Sequence, residues 1–549
     1  MSKASVYARN LMANWLGFLA NAVVMFFMTP FVVHTLGDAR YGILTLLFSA
    51  AGHFGLADIG VRLSIGRHVN FYMARGEPEK VNGIVNTGMV FFLVTSPLLL
   101  VAAAAIGAGF EQFFPRVHWS YPHEASLILA MLGADMTLTM LASAAWTVVA
   151  ARERFGLRNA AGIVVLLLRT AGIATALLAG RGLTTLAAVS MAAAALDLAL
   201  SLPAAWIVDR QLRFGFQHCS RQRLRELLTF GVGAFFDGIS QRFINFVDVF
   251  VIAWLLGDAQ VTLYSLGMMF VQYGRGLLYE VVRTLEPDIA KRAAHPEPAA
   301  IHHLTARSVR VIMLFAVPLM AGFMTLGRDF IVRWMNNPAY ARSATILLIL
   351  AAGQVVAMSS AAWRSMLNSL GRVWLVSTIA SAEAVVNFAL SVALVRLAGW
   401  GIEGVAVGTL IPSVVFMGIV LPVVGARATR MPLSSFLTSV TAKWAVGLGL
   451  CVIVGLGVAH LPLPPTWPGV LAKVALAGVA MAGVSWMVVT SADDRRAMWG
   501  VLKRIAGRFA PPIESEGETP LDRAPGVPVA PADFEAIGHN DQGRAPTPP

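Results

Sequence analysis

Apolar stretches of about 20 residues, each long enough to cross the hydrocarbon core of a bilayer as a helix, recur along almost the whole chain. Backbone N–H and C=O groups inside hydrocarbon must be satisfied within the chain, so such a sequence folds as a helical bundle. Runs separated by charged or Gly/Pro-containing breaks predict spans near 11–34, 41–65, 82–109, 124–149, 159–179 and 184–207. A second set is predicted near 227–256, 260–282, 308–332, 343–368, 373–397 and 403–425, and two more near 442–461 and 468–490. The expectation is an all-α polytopic membrane protein with about 14 transmembrane helices. Only 13% of the 549 residues are charged, against roughly a quarter in soluble chains, which leaves no soluble domain of any size. The first run, Leu11 to Val33, is too long for the apolar core of a signal peptide and is expected to stay as an uncleaved helix.

Basic residues in short loops set the orientation. With the N-terminus in the cytoplasm, the even-numbered gaps between spans face inward. They hold Arg67, Arg75 and Lys80, then Arg152, Arg154 and Arg158, then the arginines from Arg210 to Arg225, then Arg283, Lys291 and Arg292. Later inward segments hold Arg372, Arg427, Arg430, Arg495 and Arg496, whereas the odd gaps hold little beyond Arg40, Arg116, Arg181, Arg333 and Arg342. Both termini are therefore expected in the cytoplasm. The net charge of +12 follows from this topology, and nucleic-acid binding is not needed to explain it. Arg-over-Lys and Ala-rich usage is that of a GC-rich bacterial gene and says nothing about mechanism.

Two short turns are written twice. "LGDA" occurs at Leu36 to Ala39 and again at Leu256 to Ala259; "AGRGL" from Ala179 is echoed by "AGWGI" from Ala398 at nearly the same offset. Gly-Asp is ordinary turn chemistry, so either match alone carries little. Two matches at one offset point to a duplication. Each copy of the first joins helices one and two of a six-helix set, and each copy of the second joins helices five and six. Six is even, so the repeats are parallel, related by an axis along the membrane normal. The expected organisation is an N-lobe over 1–208, a C-lobe over 209–426, two added helices over 427–490, and a basic segment with a tail over 491–549. The tail after Phe509 is rich in Pro and acidic residues, is expected to be disordered, and reads as a dispensable extension.

Ionisable residues inside spans are costly and usually face protein or a wet cavity. Asn10, Asn14, Gly17 and Asn21 share one face of the first helix, and Asp58 and Arg62 are spaced by four in the second. The seventh helix aligns Asp237, Gln241 and Asp248, with Asn245 at the edge and Arg242 turned about 100° away. The eighth aligns Ser265, Met268, Gln272, Arg275 and Tyr279; the eleventh aligns Glu383, Asn387 and Ser391; Arg364 lies near the end of the tenth. Helix pairs one/two and seven/eight are equivalent, and the simplest arrangement has them lining a central cleft. Arginines there suit an anionic cargo, because a guanidinium grips phosphate with two parallel hydrogen bonds. The competing reading is structural pairing with Asp58, Asp237, Asp248 and Glu280. Candidate cargo-binding residues are Arg275, Arg62, Arg242, Arg364, Asn14, Asn21, Gln241 and Gln272; candidate ion-coupling acids are Asp58, Asp237, Asp248 and Glu383. No P-loop, His-Glu-x-x-His or nucleophile-elbow motif occurs, so no enzyme, catalytic residue or cofactor is expected. Two cysteines, Cys219 and Cys451, form no disulfide framework or metal cluster.

The stretch from Asn14 through Pro30, Leu36-Gly37, Tyr41-Gly42 and Leu56 to Gly60 resembles the opening of the bacterial oligosaccharide flippases, the Wzx-like polysaccharide exporters of the multidrug/oligosaccharidyl-lipid/polysaccharide (MOP) superfamily. "FINFVDVFVIAWLLGDAQVTLYSLGMMF", with Asp248, Leu256-Gly257 and Tyr264, is similar to that family's seventh and eighth helices. The resemblance runs from about Asn10 to Thr490. It implies a two-lobed exporter working by alternating access, carrying an undecaprenyl-diphosphate-linked oligosaccharide to the outer leaflet. It also implies membrane lipids and a polysaccharide polymerase or export machinery as partners, and cavity arginines, as a class, at Arg62, Arg242, Arg275 and Arg364. The rivals are a drug or cation exporter on the same fold, a membrane glycosyltransferase, polymerase or ligase, and a non-transporting assembly protein. The drug exporter would want acids to dominate the cleft. The glycosyltransferase would want a longer outer loop than residues 110–123.

Overall fold

A computed structural model of the chain describes residues 3–58, 60–293, 298–496 and 498–499. The side chains of 3–11, 13–14, 57, 230–245, 287, 290, 292–293 and 298–300 fall outside that description. The tail from residue 500, expected to be disordered, lies outside the described residues.

Every regular element among the described residues is helical. The first half of the chain contributes α1 (Lys3–Leu36), α2 (Asp38–Phe54), α3 (Val61–Ala74), α4 (Pro78–Phe113), α5 (Glu124–Ala151), α6 (Phe155–Leu178) and α7 (Leu183–Val208). The second contributes α8 (Arg221–Leu255), α9 (Asp258–Ala293), α10 (Pro298–Trp334), α11 (Ala341–Ser359), α12 (Ala361–Ser369), α13 (Val373–Arg396), α14 (Gly401–Pro412) and α15 (Leu421–Thr429). A short α16 (Leu433–Phe436), α17 (Ala442–Ala459) and α18 (Trp467–Val488) follow.

Packing partners recur across the two halves. α4 packs on α5 as α10 packs on α11. α5 packs on α7 as α11 packs on α14. α1 packs on α6 as α8 packs on α13. α17 and α18 pack on each other and dock together on α10. At 1.5 Å per residue the 37-residue α10 is about 55 Å long, well beyond a hydrocarbon core of about 30 Å. It therefore projects into the aqueous phase.

Eleven helical stretches among the described residues are long and apolar enough to cross a membrane. The second, seventh and eighth expected spans are not among these eleven, and the second and eighth fall short for a physical reason. The second is broken: α2 stops after 17 residues, and the chain turns at Gly60 (φ 70°), whose N–H donates to Asp58 Oδ1 at 2.5 Å before α3 begins. Of the seventh, Phe246–Leu255 of α8 is apolar, and the side chains of 230–245 before it lie outside the described residues. The eighth, α9, carries Gln272, Arg275 and Glu280 along its length. A second irregularity follows Pro412, which has no N–H to give to the helical ladder; the next turns, Ser413–Val420, widen to a π-helix before α15.

The basic segment between α7 and α8 is held on the flank of α4. Asn82 and Asn86, four apart and so on one face, read the extended backbone like a neighbouring strand. Asn82 donates to Gln211 O (3.0 Å) and accepts from Arg213 N (3.0 Å); Asn86 donates to Arg213 O (2.7 Å) and accepts from Gly215 N (2.8 Å). Arg152 adds an ion pair to Asp209 at 2.8 Å. Cys219 ends this segment, half-buried beside Thr87, and burial pushes its thiol above the usual range. A membrane-impermeant maleimide is expected to leave Cys219 unlabelled in intact cells and to label it in inside-out vesicles, more readily as pH rises and thiolate accumulates. Labelling in intact cells as strong as that of an Arg181→Cys control would reverse the expected orientation.

Candidate functional site

Five of the candidate cargo-binding and ion-coupling residues line one cavity of about 880 Å³ inside the second half of the chain: Gln272 and Arg275 of α9, Arg364 of α12, Glu383 of α13 and Asp248 of α8. α9 delivers its residues as one stripe, because Met268, Gln272, Arg275 and Tyr279 recur every three or four positions and all reach the cavity. Arg275 Nη2 donates to Gln272 Oε1 at 2.5 Å, which fixes the guanidinium along the helix. Arg364 lies close enough for the two cations to feel each other, and Glu383 sits beside Arg364 and Ser413. Two cations, Arg275 and Arg364, and two acids, Glu383 and Asp248, thus share a partly desolvated space in which the arginine forks can meet an anion.

The floor of the cavity is a buried hydrogen-bond chain. Asp248 Oδ2 accepts from Tyr264 OH (2.5 Å) and from Thr409 Oγ1 (2.9 Å). Asn387 donates to Thr409 Oγ1 (3.2 Å) and accepts from Ser391 Oγ (3.3 Å). The other Asp248 oxygen is buried without a partner, as is Gln354 Nε2 on the same wall. Buried polar atoms are almost always satisfied, so the open Asp248 oxygen marks where water, a proton or a cation can be taken up, and Gln354 Nε2, a donor, marks where water or another acceptor can sit. Among the described residues no group of three or more His, Cys, Asp or Glu side chains is placed to hold a metal ion.

Three of the remaining candidates lie outside this cavity. Arg62 and Asp58 do not join this cavity: Asp58 is occupied by the turn between α2 and α3, and Arg62, exposed, stands 3.8 Å from it. Asn21 is exposed on α1. Asn14, Asp237, Gln241 and Arg242 have side chains outside the described residues. The candidates that the described side chains bring together lie in a cavity among α8, α9 and α11–α14; the expected cleft of the first, second, seventh and eighth helices turns on side chains outside the described residues. Gln354, Thr409 and Ser413 line it and were missed by a search for ionisable groups. A lone Gln within the apolar run "ILLILAAGQVV" was the available signal.

The repeated "LGDA" turns meet each other's half of the chain. Gly37 (φ 78°) and Gly257 (φ 93°) both adopt the left-handed backbone that favours glycine. Asp38 of the first copy accepts from Tyr340 OH at 2.6 Å, and its carbonyl accepts from Thr262 Oγ1 at 2.6 Å. Asp258 of the second copy accepts from the backbone N–H of His118 at 2.9 Å, with His118 Nδ1 at 3.0 Å from the same oxygen. Each aspartate is therefore held by the loop between the third and fourth helix of the other half. Between them Gly42 approaches so closely that a Cβ there would stand 1.9 Å from Asp258 O.

Comparison with known proteins supplies a frame. The family model described as polysaccharide biosynthesis protein matches residues 7–292, more than half of the chain, and the MatE model matches residues 234–393. The uncharacterized membrane protein EpsK of Bacillus subtilis is 21% identical over 508 residues, covering 90% of this chain and 97% of that protein. Among solved structures the fold is similar to the lipid II flippase MurJ in its inward closed conformation (TM-score 0.61, 13% identity, 87% of this chain and 98% of that one). It is also similar to an inward-facing multidrug resistance MATE family transporter of the MOP superfamily (TM-score 0.58, 13% identity, 77% and 96%).

Proposed function

Because this chain belongs to the polysaccharide biosynthesis protein family and has the fold of the MOP transporters, we propose that it is a flippase carrying an undecaprenyl-diphosphate-linked oligosaccharide across the bacterial inner membrane. It is a multi-pass membrane transporter, not an enzyme. The observation that carries the cargo reading is the pair of arginines, Arg275 and Arg364, in one intramembrane cavity with Gln272 and Gln354 at hand for hydroxyls. Guanidinium groups offer planar forks to phosphate oxygens, and a neutral amide can follow a sugar.

The chain is read as fourteen spans in two parallel lobes, 1–208 and 209–426, followed by residues 427–490; the helix partners that recur across the two halves support the duplication. In this reading the turns at Leu36–Ala39 and Leu256–Ala259 close the outer face, and the lobes rock about the cavity. Asp248 is the coupling acid, since it is buried with one oxygen open, and Glu383 is the acid that tempers Arg364.

Reconstitution tests this. Proteoliposomes holding a fluorescent lipid-linked oligosaccharide are expected to expose inner-leaflet label to a membrane-impermeant quencher faster than empty liposomes. The second reading, a drug or cation exporter, is favoured by the buried Asp248 and by the MatE match over residues 234–393. Gradient-driven uptake of a cationic dye with no movement of the lipid-linked sugar would establish it instead.

A further inference from the structure

A second polar pocket, of about 960 Å³, opens on the face that bears the two "LGDA" turns, between the end of α10 and the α17–α18 loop. Its cations are Arg328 and Arg333 from the last turns of α10 and Lys473 from α18. Its one acid, Asp329, is already engaged by Lys473 at 3.3 Å. Among the described residues, no carboxylate lies within ion-pair distance of Arg328 or Arg333, and Arg333 Nε is buried without a hydrogen-bond partner. Two other arginines of this face are paired: Arg40 with Glu124 at 3.2 Å and Arg342 with Glu403 at 2.6 Å.

Three features make this a built site. Its walls are fixed: Lys473 Nζ donates to Ala459 O at 2.7 Å, and Gly469 lies so close to the loop that a Cβ would stand 2.1 Å from Pro464 O. Two helix starts, those of α11 and α18, border it and add the positive ends of their dipoles. The charge is also unexpected where it stands. Loops of this face are poor in Lys and Arg, yet residues about 145 positions apart in sequence bring three cations together. Topology does not call for them; an anion does.

We propose that Arg328, Arg333 and Lys473 form a phosphate-binding site at the membrane surface, assembled by docking α17 and α18 on α10. Its ligand is a phosphate or diphosphate group, gripped by the two arginine forks with the lysine as a point charge. At the end of spanning helices the site sits at headgroup level, so the phosphate comes from a lipid headgroup or from free phosphate in solution. The proposal stands apart from the identity of the transported cargo, because it concerns binding alone.

Isothermal titration of the purified full chain in a neutral detergent, with inorganic pyrophosphate as the probe, tests it. An Arg275→Ala background removes the intramembrane cavity from the reading. Saturable binding is expected, weakened at least 10-fold by Arg328→Gln with Arg333→Gln and partly restored by Arg333→Lys. In a second arm, phosphatidylcholine nanodiscs with or without phosphatidylglycerol are loaded with the same proteins, and co-purified phosphatidylglycerol is counted. Retention lost in the double variant with no pyrophosphate binding assigns the headgroup as the source; pyrophosphate binding lost in the double variant assigns free phosphate as sufficient. Size-exclusion elution as a single wild-type-like peak certifies folding, and the single Arg333→Lys protein serves if the double variant fails that check. Binding in both arms unchanged by these substitutions, or absent from both in the wild type, overturns the proposal.

Discussion

An Arg275→Ala protein is expected to reach the membrane at its normal level and to move no substrate, while Arg275→Lys moves it slowly. The reasoning runs from the cavity's charges. Arg275 is fixed by Gln272 at 2.5 Å and shares its space with a second cation, Arg364. Removing one of two neighbouring cations relieves repulsion, so folding loses little. A guest diphosphate, by contrast, loses a two-pronged partner that lysine replaces with a single point charge. If Arg275 served instead as the partner of a buried carboxylate, its loss would strand that charge at a cost of about 3–5 kcal/mol, and the protein would disappear from the membrane. Immunoblotting of membranes beside polysaccharide export separates the two. Normal export at normal abundance would remove Arg275 from the site and move attention to Arg364.

Bridging Asp38→Cys to Tyr340→Cys with a bis-methanethiosulfonate reagent, in a chain otherwise lacking cysteine, is expected to stop transport, and a reductant to restore it. In the native chain that position holds the Tyr340–Asp38 hydrogen bond at 2.6 Å. A hydrogen bond to a charged group contributes about 1.5–3 kcal/mol, enough to change a two-state ratio by roughly 10- to 150-fold. Asp38→Ala with Asp258→Ala is correspondingly expected to favour the opposite opening, and water-soluble thiol reagents should then reach new cysteines placed at Leu46 or Leu47, now fully buried. Cross-linked protein that transports at the uncross-linked rate would mean that this face does not open during the cycle.

What could be read from the sequence follows the range of the interactions involved. Helix existence is a local matter of apolar run length, and the stripe Met268, Gln272, Arg275 and Tyr279 is a local matter of helical period; both emerge as expected. The repeated "LGDA" is visible as letters, but its partners are not. Tyr340 and His118 sit in loops with no periodicity, and only the packed structure brings them to Asp38 and Asp258. The same holds for Lys473, a lone cation in an apolar helix whose acid, Asp329, comes from another helix. The break at Gly60 was hidden for a different reason. Asp58 and Arg62 at a spacing of four read as a pair on one continuous helix, whereas the carboxylate is spent on turning the chain between two helices.

The approach of Gly42 to Asp258 also bears on electricity. Moving one elementary charge across an energised membrane is worth about 2.3 kcal/mol per 100 mV, and a protein that opens a polar cavity within the bilayer risks becoming a conducting wire. Here the two halves meet backbone to backbone, too closely for even a methyl group to intervene, and the neighbouring Ile43, Leu46, Leu47 and Val261 are dry. This seam is an insulator in series with the cavity. Its thickness, more than the affinity of the cavity, sets how much ion leak a cell must tolerate for every copy of the protein it keeps in its membrane. A Gly42→Ala chain should therefore betray itself first by a lowered membrane potential in otherwise healthy cells, before any change in surface polysaccharide.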